Sequence, residues 1–272
     1  MRTFVTFISD FGQRDTYVAS VRMAILSRVQ DAILIDVTHD IPPFMPLLAL
    51  PSLIDILEVS PPDTIHLVVV DPGVGSPRRA LIGSAPGHFF VFPDNGLPHH
   101  LNRWVEGLRF YHLSNPSAFG GAETATFQGR DLFAPAVAAL CRGIRPEEMG
   151  EEISAADLVH DTGFSGAGAD RLLVWNVDRF GNVLLGYRAN VPPTSVRIAF
   201  DGIDLPYVSR YQDVPRGRPG ILVNSSGWIE IFCREGSAFE LTGFRPGMLL
   251  EASIEGGVGR PLFAPSVPDT RG

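Results

Sequence analysis

The 272-residue sequence contains no lysine, so all 22 of its basic residues are arginine. Schiff-base catalysis, a pyridoxal cofactor and a P-loop each need a lysine amine, and all three are therefore excluded. Cysteine is scarce as well. Cys141 and Cys233 are the only two and lie in unrelated contexts, which excludes a disulfide framework and a cysteine-based zinc site.

Long apolar runs and clusters of basic charge are also missing. The longest apolar runs have the length of a β-strand, far short of a membrane span. The first residues, "RTFVTFISDF", carry an acid and no small-residue cleavage site, which predicts a first strand and a cytoplasmic protein. The net charge is −8 and the arginines are scattered, so neither nucleic acid nor a membrane is an expected partner.

The first 140 residues alternate strand-length apolar runs with helical patterns. Apolar positions three and four apart predict helices at 17–29 and 47–58, and a third is predicted at 131–142. Strands are predicted at 3–9, 32–37, 64–70, 79–85 and 88–93. This alternation predicts an N-terminal α/β domain with a mainly parallel sheet, in which ligands gather at the carboxyl ends of the strands.

The pattern changes after a glycine-rich stretch, "DTGFSGAGAD" at 161–170. Six short apolar runs follow between turn residues, which predicts a small C-terminal antiparallel β-barrel. The predicted strands span 171–178, 182–188, 195–200, 219–224, 228–233 and 248–254. The predicted domains are 1–162 for the α/β domain, 163–170 for a linker, 171–262 for the barrel and 263–272 for a tail.

Seven polar motifs occur in a fixed order along both halves of the chain. They are "ISDFGQRDTYV" (8–18), "IDVTHDIPP" (35–43), "VVVDPGVGSPRRA" (68–80), "PDNGL" (93–97), "TFQGRDLFAP" (126–135), "DRFGN" (178–182) and "LVNSSGWIEI" (222–231). Together they resemble the S-adenosyl-L-methionine (SAM) hydrolase family, whose members are also called SAM hydroxide adenosyltransferases. The SAM-dependent fluorinating and chlorinating enzymes are relatives of that family.

The resemblance implies a fold, an assembly and a reaction. The fold is an α/β domain followed by a β-barrel, in a homotrimer with active sites between neighbouring subunits. The reaction is displacement at the 5′ carbon of the adenosyl group, with methionine as the leaving group. Water attacks in the hydrolases and halide in the relatives. The implied partner is the small-molecule substrate SAM, and no metal or further cofactor is implied.

Three residues match the family's catalytic positions. Asp71 and Arg78, seven residues apart, match its Asp and Arg, so that Asp71 accepts a proton from the water or polarises it while Arg78 holds the carboxylate in place and ionised. An alternative is that Asp71 only caps the turn after its strand and that Arg78 forms a surface ion pair. The third position departs from the family, because Gln128 stands where its hydrolases usually carry a histidine.

Gln128 divides the functional hypotheses. A glutamine can orient a water through its carbonyl oxygen and NH₂ group, but it cannot titrate. If the histidine acts as a base, the protein is slow or inactive and binds adenosyl compounds as a sensor; if it orients the water, hydrolysis is retained. Asp71 stands where the halide-using relatives carry a tyrosine. This favours hydrolysis over a halide-dependent reaction, since a carboxylate repels a halide.

Six further residues match substrate-binding positions of the family. In the first domain, Asp10 matches the ligand of the ribose hydroxyls, with turn capping as its alternative. Phe44 matches a position that stacks on the nucleoside, with core packing as its alternative. In the second domain, the resemblance assigns Asn182 to the adenine edge, Asp178 to the methionine ammonium, and Ser225 and Ser226 to its carboxylate. Ordinary turns are the alternative for Asp178 and both serines.

Overall fold

The computed structural model describes residues 2–122, 124, 126–160, 164, 166–199 and 205–263. The chain divides into two compact units, Met1–Asp161 and Thr162–Gly272, called unit 1 and unit 2 below. The predicted linker falls partly outside the described residues, and the predicted tail does so from residue 264 onwards. Among the described residues, no helix combines the length and apolar character that crossing a lipid bilayer requires.

Unit 1 is an α/β unit built on a mixed sheet. Within the described residues its seven strands have the order β2-β1-β3-β5-β4-β6-β7, in which β2, β1, β3 and β5 run parallel. The strands are β1 (Phe4–Ser9), β2 (Ile33–Thr38), β3 (Thr64–Val69), β4 (Ala80–Ala85), β5 (His88–Pro93), β6 (Arg109–His112) and β7 (Glu152–Ile153). Because β3 lies between two strands, all six of its residues are buried.

The helices of unit 1 cover this sheet. They are α1 (Tyr17–Leu26), α2 (Leu50–Val59), α3 (Leu97–Leu101), α4 (Pro116–Phe119), α5 (Ala134–Cys141) and α6 (Pro146–Met149). Buried apolar side chains of α1 and α5 pack with those of β1 and β3 in one core, which includes Val21, Val137, Val5 and Leu67. A 3₁₀ turn at Pro46–Ala49 leads into α2, and a π-helical turn at Gly129–Phe133 leads into α5.

Unit 2 is an antiparallel sheet that nearly closes into a barrel. Among the described residues its strand order is β10-β13-β8-β9-β12-β11, with β14 paired to β9. The strands are β8 (Arg171–Val177), β9 (Val183–Val191), β10 (Ser195–Ile198), β11 (Pro219–Val223), β12 (Trp228–Cys233), β13 (Leu249–Glu255) and β14 (Val258–Pro261), with one short helix, α7 (Ala238–Thr242). The predicted fold class, an α/β domain followed by an antiparallel barrel, is confirmed.

Candidate active site

Two predicted acids follow neighbouring parallel strands of unit 1. Ser9 at the end of β1 pairs in register with Val69 at the end of β3. Asp10 and Asp71 come one and two residues after these partners, so both leave the same edge of the sheet. The amide of Asn95 holds the second strand end in place, since its Nδ2 donates to the Val70 carbonyl at 2.7 Å.

Asp71 and Arg78 form a buried ion pair rather than a surface one. Arg78 Nε donates to Asp71 Oδ1 at 2.9 Å, and Arg78 Nη2 donates to Asp71 Oδ2. Only 6% of the Asp71 side chain and 9% of the Arg78 side chain are exposed. The Gly73 N–H also donates to Asp71 Oδ1 at 3.2 Å, so the carboxylate caps its turn as well. Turn capping and pairing with Arg78 therefore coexist.

Gln128 completes this cluster. Arg78 Nη2 donates to Gln128 Oε1 as well as to Asp71, which places the amide and the carboxylate side by side on one guanidinium. Gln128 is buried, and it directly precedes the π-helical turn Gly129–Phe133. Such turns widen a helix by one residue and are frequent at functional sites. Among the three residues matched to catalytic positions, Arg78 thus hydrogen-bonds to both of the others.

A cavity of about 370 Å³ in unit 1 is lined by this cluster and by the nucleoside-binding candidates. Asp71, Gln128, Asp10 and Phe44 all contribute to its wall. The Phe44 N–H donates to Asp10 Oδ2 at 3.2 Å, and burial raises the pKa of Asp10 above its ordinary value. Asp10 therefore faces the cavity as a carboxylate that is only partly solvated, which suits it to accept from hydroxyl groups.

Phe44 does not pack in the core. Its side chain is 74% exposed, and its backbone has a φ of 65°, a left-handed value that is strained for an aromatic residue. The alternative of core packing is wrong, because the structure holds this ring in solvent at the rim of the cavity. An exposed aromatic ring at this rim offers a face on which a nucleoside can stack.

Three aromatic side chains line the same cavity without having been predicted. The rings of Phe11, Tyr17 and Phe127 contact one another, with centroids 5.4–6.0 Å apart. They give the cavity an apolar part of its wall. Each lies within one of the seven motifs, but more than 100 positions separate Phe11 and Tyr17 from Phe127. Their contact is therefore visible only in the fold.

A second cavity, of about 750 Å³, lies in unit 2 and contains Asp178, Asn182 and Ser225. The Asp178 carboxylate stabilises the hairpin turn between β8 and β9, because its Oδ1 accepts from the N–H groups of Phe180 and Asn182 at 2.8 and 2.9 Å. Asn182 Nδ2 donates to Asp178 Oδ2 at 3.0 Å, which leaves the side-chain oxygen of Asn182, Oδ1, for another partner. The turn alternative for Asp178 thus holds alongside its position in the cavity.

The two serines of the "NSSG" turn differ in position. Ser225 is exposed and lines the unit 2 cavity. Ser226 lies outside that lining, and its backbone is used by the turn: its N–H donates to Asn224 Oδ1 at 3.0 Å, and its carbonyl accepts from Arg188 Nε at 2.8 Å. Of the pair, Ser225 is the one placed to contact a ligand.

Glu230 is a buried acid on β12 to which the sequence motifs assigned no role. It lines the unit 2 cavity and is only 3% exposed. Its two carboxylate oxygens accept from Tyr211 Oη at 2.8 Å and from Asn224 Nδ2 at 3.2 Å. Burial raises the pKa of Glu230, and burial likewise raises the pKa of Tyr211. The signal in the sequence is an acid inside the apolar strand "WIEIFC".

Comparison with known proteins assigns the chain to a family. Residues 5–150 match the model of the SAM hydroxide adenosyltransferase N-terminal domain, and residues 173–251 match that of the C-terminal domain. The chain belongs to the SAM hydroxide adenosyltransferase family. The resemblance drawn from the seven motifs is thereby confirmed.

Members of this family with curated names are similar over most of their length. A protein named (R)-S-adenosyl-L-methionine hydrolase from Thermus thermophilus is 34% identical, covering 90% of this chain and 97% of that protein. One of the same name from Salinispora arenicola is 31% identical, covering 90% and 95%. A protein named fluorinase from an Actinoplanes species is more distant, at 24% identity covering 84% and 89%.

Solved structures share the fold of this chain. A crystal structure of an uncharacterized conserved protein from Thermotoga maritima superposes with a TM-score of 0.81 at 27% identity, covering 92% of this chain and all of that one. A conserved hypothetical protein from Thermus thermophilus gives a TM-score of 0.72 at 30% identity, covering 93% and 100%.

Among the described residues of this family member, no group of three or more His, Cys, Asp or Glu side chains is placed to hold a metal ion. The predicted site residues instead form two sets. The set in unit 1 contains both acids that follow strands, together with Arg78 and Gln128. The set in unit 2 contains the acid and amide of the hairpin turn and Ser225.

Proposed function

We propose that the protein is an enzyme that hydrolyses SAM to adenosine and L-methionine by in-line attack of water at the 5′ carbon. The observation that carries this proposal is the Asp71–Arg78–Gln128 cluster in the wall of a cavity that also holds Asp10. The curated names of the most similar relatives support the same reaction. Those names specify the (R) epimer at sulfur, and we propose the same epimer for this protein.

The reaction needs no general acid, but it needs a base to accept a proton from water. The sulfonium is already a good leaving group: the carbon–sulfur bond breaks, its electron pair goes to sulfur, and methionine departs as a neutral thioether. The water oxygen forms the new bond to carbon and must lose a proton, which Asp71 accepts and passes to solvent. Arg78 donates two hydrogen bonds to the Asp71 carboxylate and so holds that carboxylate in one orientation towards the water.

Gln128 orients the water rather than accepting its proton. The Arg78 guanidinium only donates hydrogen bonds, so the amide oxygen of Gln128 faces it. The Gln128 NH₂ group is then the part that serves the nucleophile, donating to a lone pair of the water oxygen. Asp71 and Gln128 together fix both the proton and a lone pair of the water, which favours attack along one line.

The remaining unit 1 candidates bind the nucleoside in this proposal. The Asp10 carboxylate accepts from the two ribose hydroxyls, one on each oxygen, while the Phe44 N–H holds its orientation. The exposed Phe44 ring stacks on the nucleoside. Both contacts act at a distance from the reacting carbon and so contribute to binding and alignment.

Unit 2 supplies recognition of the remaining parts of SAM in this proposal. Asp178 accepts from the methionine ammonium. With its NH₂ group bonded to Asp178, Asn182 offers its carbonyl oxygen to the adenine amino group. Ser225 and Ser226 remain assigned to the methionine carboxylate, with Ser225 as the member that lines the cavity.

One specific observation favours a second candidate function. Gln128 cannot titrate, so a protein in which the third catalytic position must act as a base would bind adenosyl compounds without turning them over. A halide-dependent reaction is disfavoured by the buried Asp71 carboxylate, which would repel a halide.

We further propose a homotrimer with active sites between neighbouring subunits and a cytoplasmic location, as the family resemblance and the sequence predict. Multi-angle light scattering should give three times the mass of the chain. Mixed trimers of Asp71→Asn and Asp178→Asn subunits should regain activity that neither variant has alone, if each site takes these residues from different subunits. Absence of any regain in verified mixed trimers would contradict the shared site.

Isotope labelling tests where the water attacks. In H₂¹⁸O, the enzyme should place one ¹⁸O atom in the 5′ hydroxyl of adenosine and none in methionine, and the (R) epimer of SAM should react faster than the (S) epimer. Label in any other product, or release of adenosine without label, would contradict attack of water at the 5′ carbon.

A further inference from the structure

A chain of four polar side chains runs beneath the turn that carries Asp10. A hydrogen bond of 2.7 Å joins Ser9 Oγ and His39 Nδ1. His39 Nε2 lies 3.3 Å from Asp36 Oδ1, and Arg22 Nη1 donates to Asp36 Oδ2 at 3.0 Å. Ser9 is fully buried and His39 is 2% exposed. Buried polar groups cost free energy unless they are paired. We therefore expect these four side chains to have a structural or functional role.

The Ser-His-Asp composition does not make this a nucleophilic triad. The hydroxyl of Ser9 is fully buried, and its oxygen already accepts from the Phe11 N–H at 3.3 Å. His39 meets it through Nδ1, whereas a general base of that kind uses Nε2 for the serine. No substrate carbon can approach Ser9 Oγ in this arrangement. The four side chains therefore serve to hold the backbone around them.

The backbone that it holds is the turn containing Asp10. The Gly12 N–H donates to the His39 carbonyl at 2.7 Å, and Gly12 has a left-handed φ of 64° that suits glycine. The Phe11 N–H is held by Ser9 Oγ. Asp10 lies between Ser9 and Phe11, the two residues that this bond joins, and its Oδ2 accepts from the Phe44 N–H. His39 thus anchors the turn twice, through its ring and through its carbonyl.

The position of Asp36 is compatible with the His39 tautomer that carries its proton on Nε2. A proton on His39 Nε2 faces the nearby Asp36 Oδ1, although the two atoms do not meet hydrogen-bond geometry. Nδ1 is then an acceptor, and the Ser9 hydroxyl donates to it. A lone pair of the same hydroxyl remains for the Phe11 N–H. In this order the Ser9 hydroxyl donates one hydrogen bond and accepts another.

We propose that His39 is a positioning residue that, through Ser9, fixes the Asp10 carboxylate for bidentate acceptance from both ribose hydroxyls. His39 thereby sets the preference of the enzyme for an adenosyl group over a 2′-deoxyadenosyl group. This inference rests on the proposed function, in which Asp10 binds the ribose. Two hydrogen bonds accepted by one carboxylate require tight control of its orientation, whereas a single bond tolerates rotation.

The test compares kcat/KM for SAM and for its 2′-deoxyadenosyl analogue in three forms of the full chain. The wild-type enzyme should prefer SAM by about 10- to 100-fold, the cost of one lost hydrogen bond to a charged group. His39→Leu should reduce that preference at least fivefold, mainly by raising KM for SAM. His39→Asn should retain most of it, since an asparagine carbonyl oxygen can accept from the Ser9 hydroxyl in place of Nδ1.

A matched control exists on the same strand. Thr6 Oγ1 and His66 Nδ1 form a hydroxyl–histidine bond of 2.8 Å, and both residues are buried. His66→Leu should lower the stability of the protein but leave the preference for SAM unchanged. Ser9→Ala removes only one hydroxyl, and it serves as the decisive variant if His39→Leu does not fold.

The outcomes separate this inference from the proposed function. If wild-type enzyme hydrolyses SAM with the expected preference and folded His39→Leu and Ser9→Ala keep it in full, the inference is overturned and the function stands. A wild-type enzyme that hydrolyses both substrates equally overturns the role of Asp10 and, with it, that of His39. A protein that neither hydrolyses SAM nor binds adenosine in calorimetry overturns the proposed function itself.

Discussion

Arg78 donates from two nitrogens to the two carboxylate oxygens of Asp71, and from one of these nitrogens also to the amide oxygen of Gln128. One guanidinium therefore fixes the group proposed as base and the group proposed to orient the water. Because only 9% of the Arg78 side chain is exposed, water does not compete for these bonds as it does at a surface pair. The first three predictions follow from this arrangement.

Replacing Asp71 with asparagine should lower kcat by about 10²- to 10⁴-fold, the usual contribution of a positioned general base. The variant keeps the shape of the side chain but cannot accept the proton. Adenosine formation followed by liquid chromatography measures the effect. Asp63→Asn, at the opposite end of strand β3 in an exposed turn, is the matched control and should keep the wild-type rate. An unchanged rate in Asp71→Asn would remove this carboxylate from the mechanism.

Arg78→Lys should lower kcat by about 10- to 100-fold even though the charge is kept. A lysine ammonium lacks the planar fork that serves Asp71 and Gln128 at the same time. Arg145→Lys, which alters an exposed pair with Glu148, is the control and should have no effect. Wild-type turnover in Arg78→Lys would mean that charge alone, rather than the forked geometry, supports the site.

Gln128→His should raise kcat and change the pH profile. The wild-type enzyme should show no limb from a site histidine, because Gln128 does not titrate. The variant introduces an imidazole beside Asp71, and a limb should appear in the region of the ordinary histidine pKa, about 6.5. The profile of kcat from pH 5 to pH 9 in both proteins decides this. A histidine-like limb in the wild-type enzyme would show that a different residue supplies the proton transfer.

In unit 2, Ser225→Ala should raise KM for SAM several-fold, and Ser226→Ala should raise it less. Ser225 lines the cavity, while the backbone of Ser226 is bound within its own turn. Steady-state kinetics with kcat as the internal reference separates binding from chemistry. A larger effect from Ser226→Ala would reverse this assignment.

Stability should depend on pH through His66, which is fully buried. Burial lowers the pKa of His66 to about 3, whereas the unfolded chain has an ordinary value near 6.5. Below about pH 6.5 the unfolded state binds more protons at His66 than the folded state does. As the pH is lowered, this group therefore decreases the free energy of unfolding by up to about 1.4 kcal/mol per pH unit. The loss continues towards pH 3.

Urea unfolding of the wild-type protein and of His66→Leu at several pH values between 7.5 and 4.5 measures this term. The variant is less stable at neutral pH but should lose less stability on acidification. Identical pH slopes in the two proteins would show that His66 does not carry the effect.

The strand ends of unit 1 were predictable because apolar runs stop abruptly at Asp10 and Asp71, and parallel strands bring their carboxyl ends to one edge. The π-helical turn after Gln128 was not: "GRDLF" has no periodicity that distinguishes it from an α-helix, so the sequence predicted a plain helix from Asp131. The strands β6 and β7 were missed because four and two residues are too few to show alternation.

The site shows the same division. The resemblance predicted Asp71, Arg78 and Gln128 as catalytic residues, and the structure brings the three together. The left-handed backbone of Phe44 and its contact with Asp10, 34 residues away, could not be predicted, because neither has a signal in the local sequence. The role of His39 likewise depends on Ser9, a residue of another strand end.

Hydrolysis of SAM can be tested by liquid chromatography of the products that the purified protein forms from SAM, with and without chloride. We expect adenosine and methionine in equal amounts, at a rate that chloride does not change. A 5′-chloro nucleoside in the presence of chloride, or retention of the adenosyl ligand on the protein without any product, would contradict it.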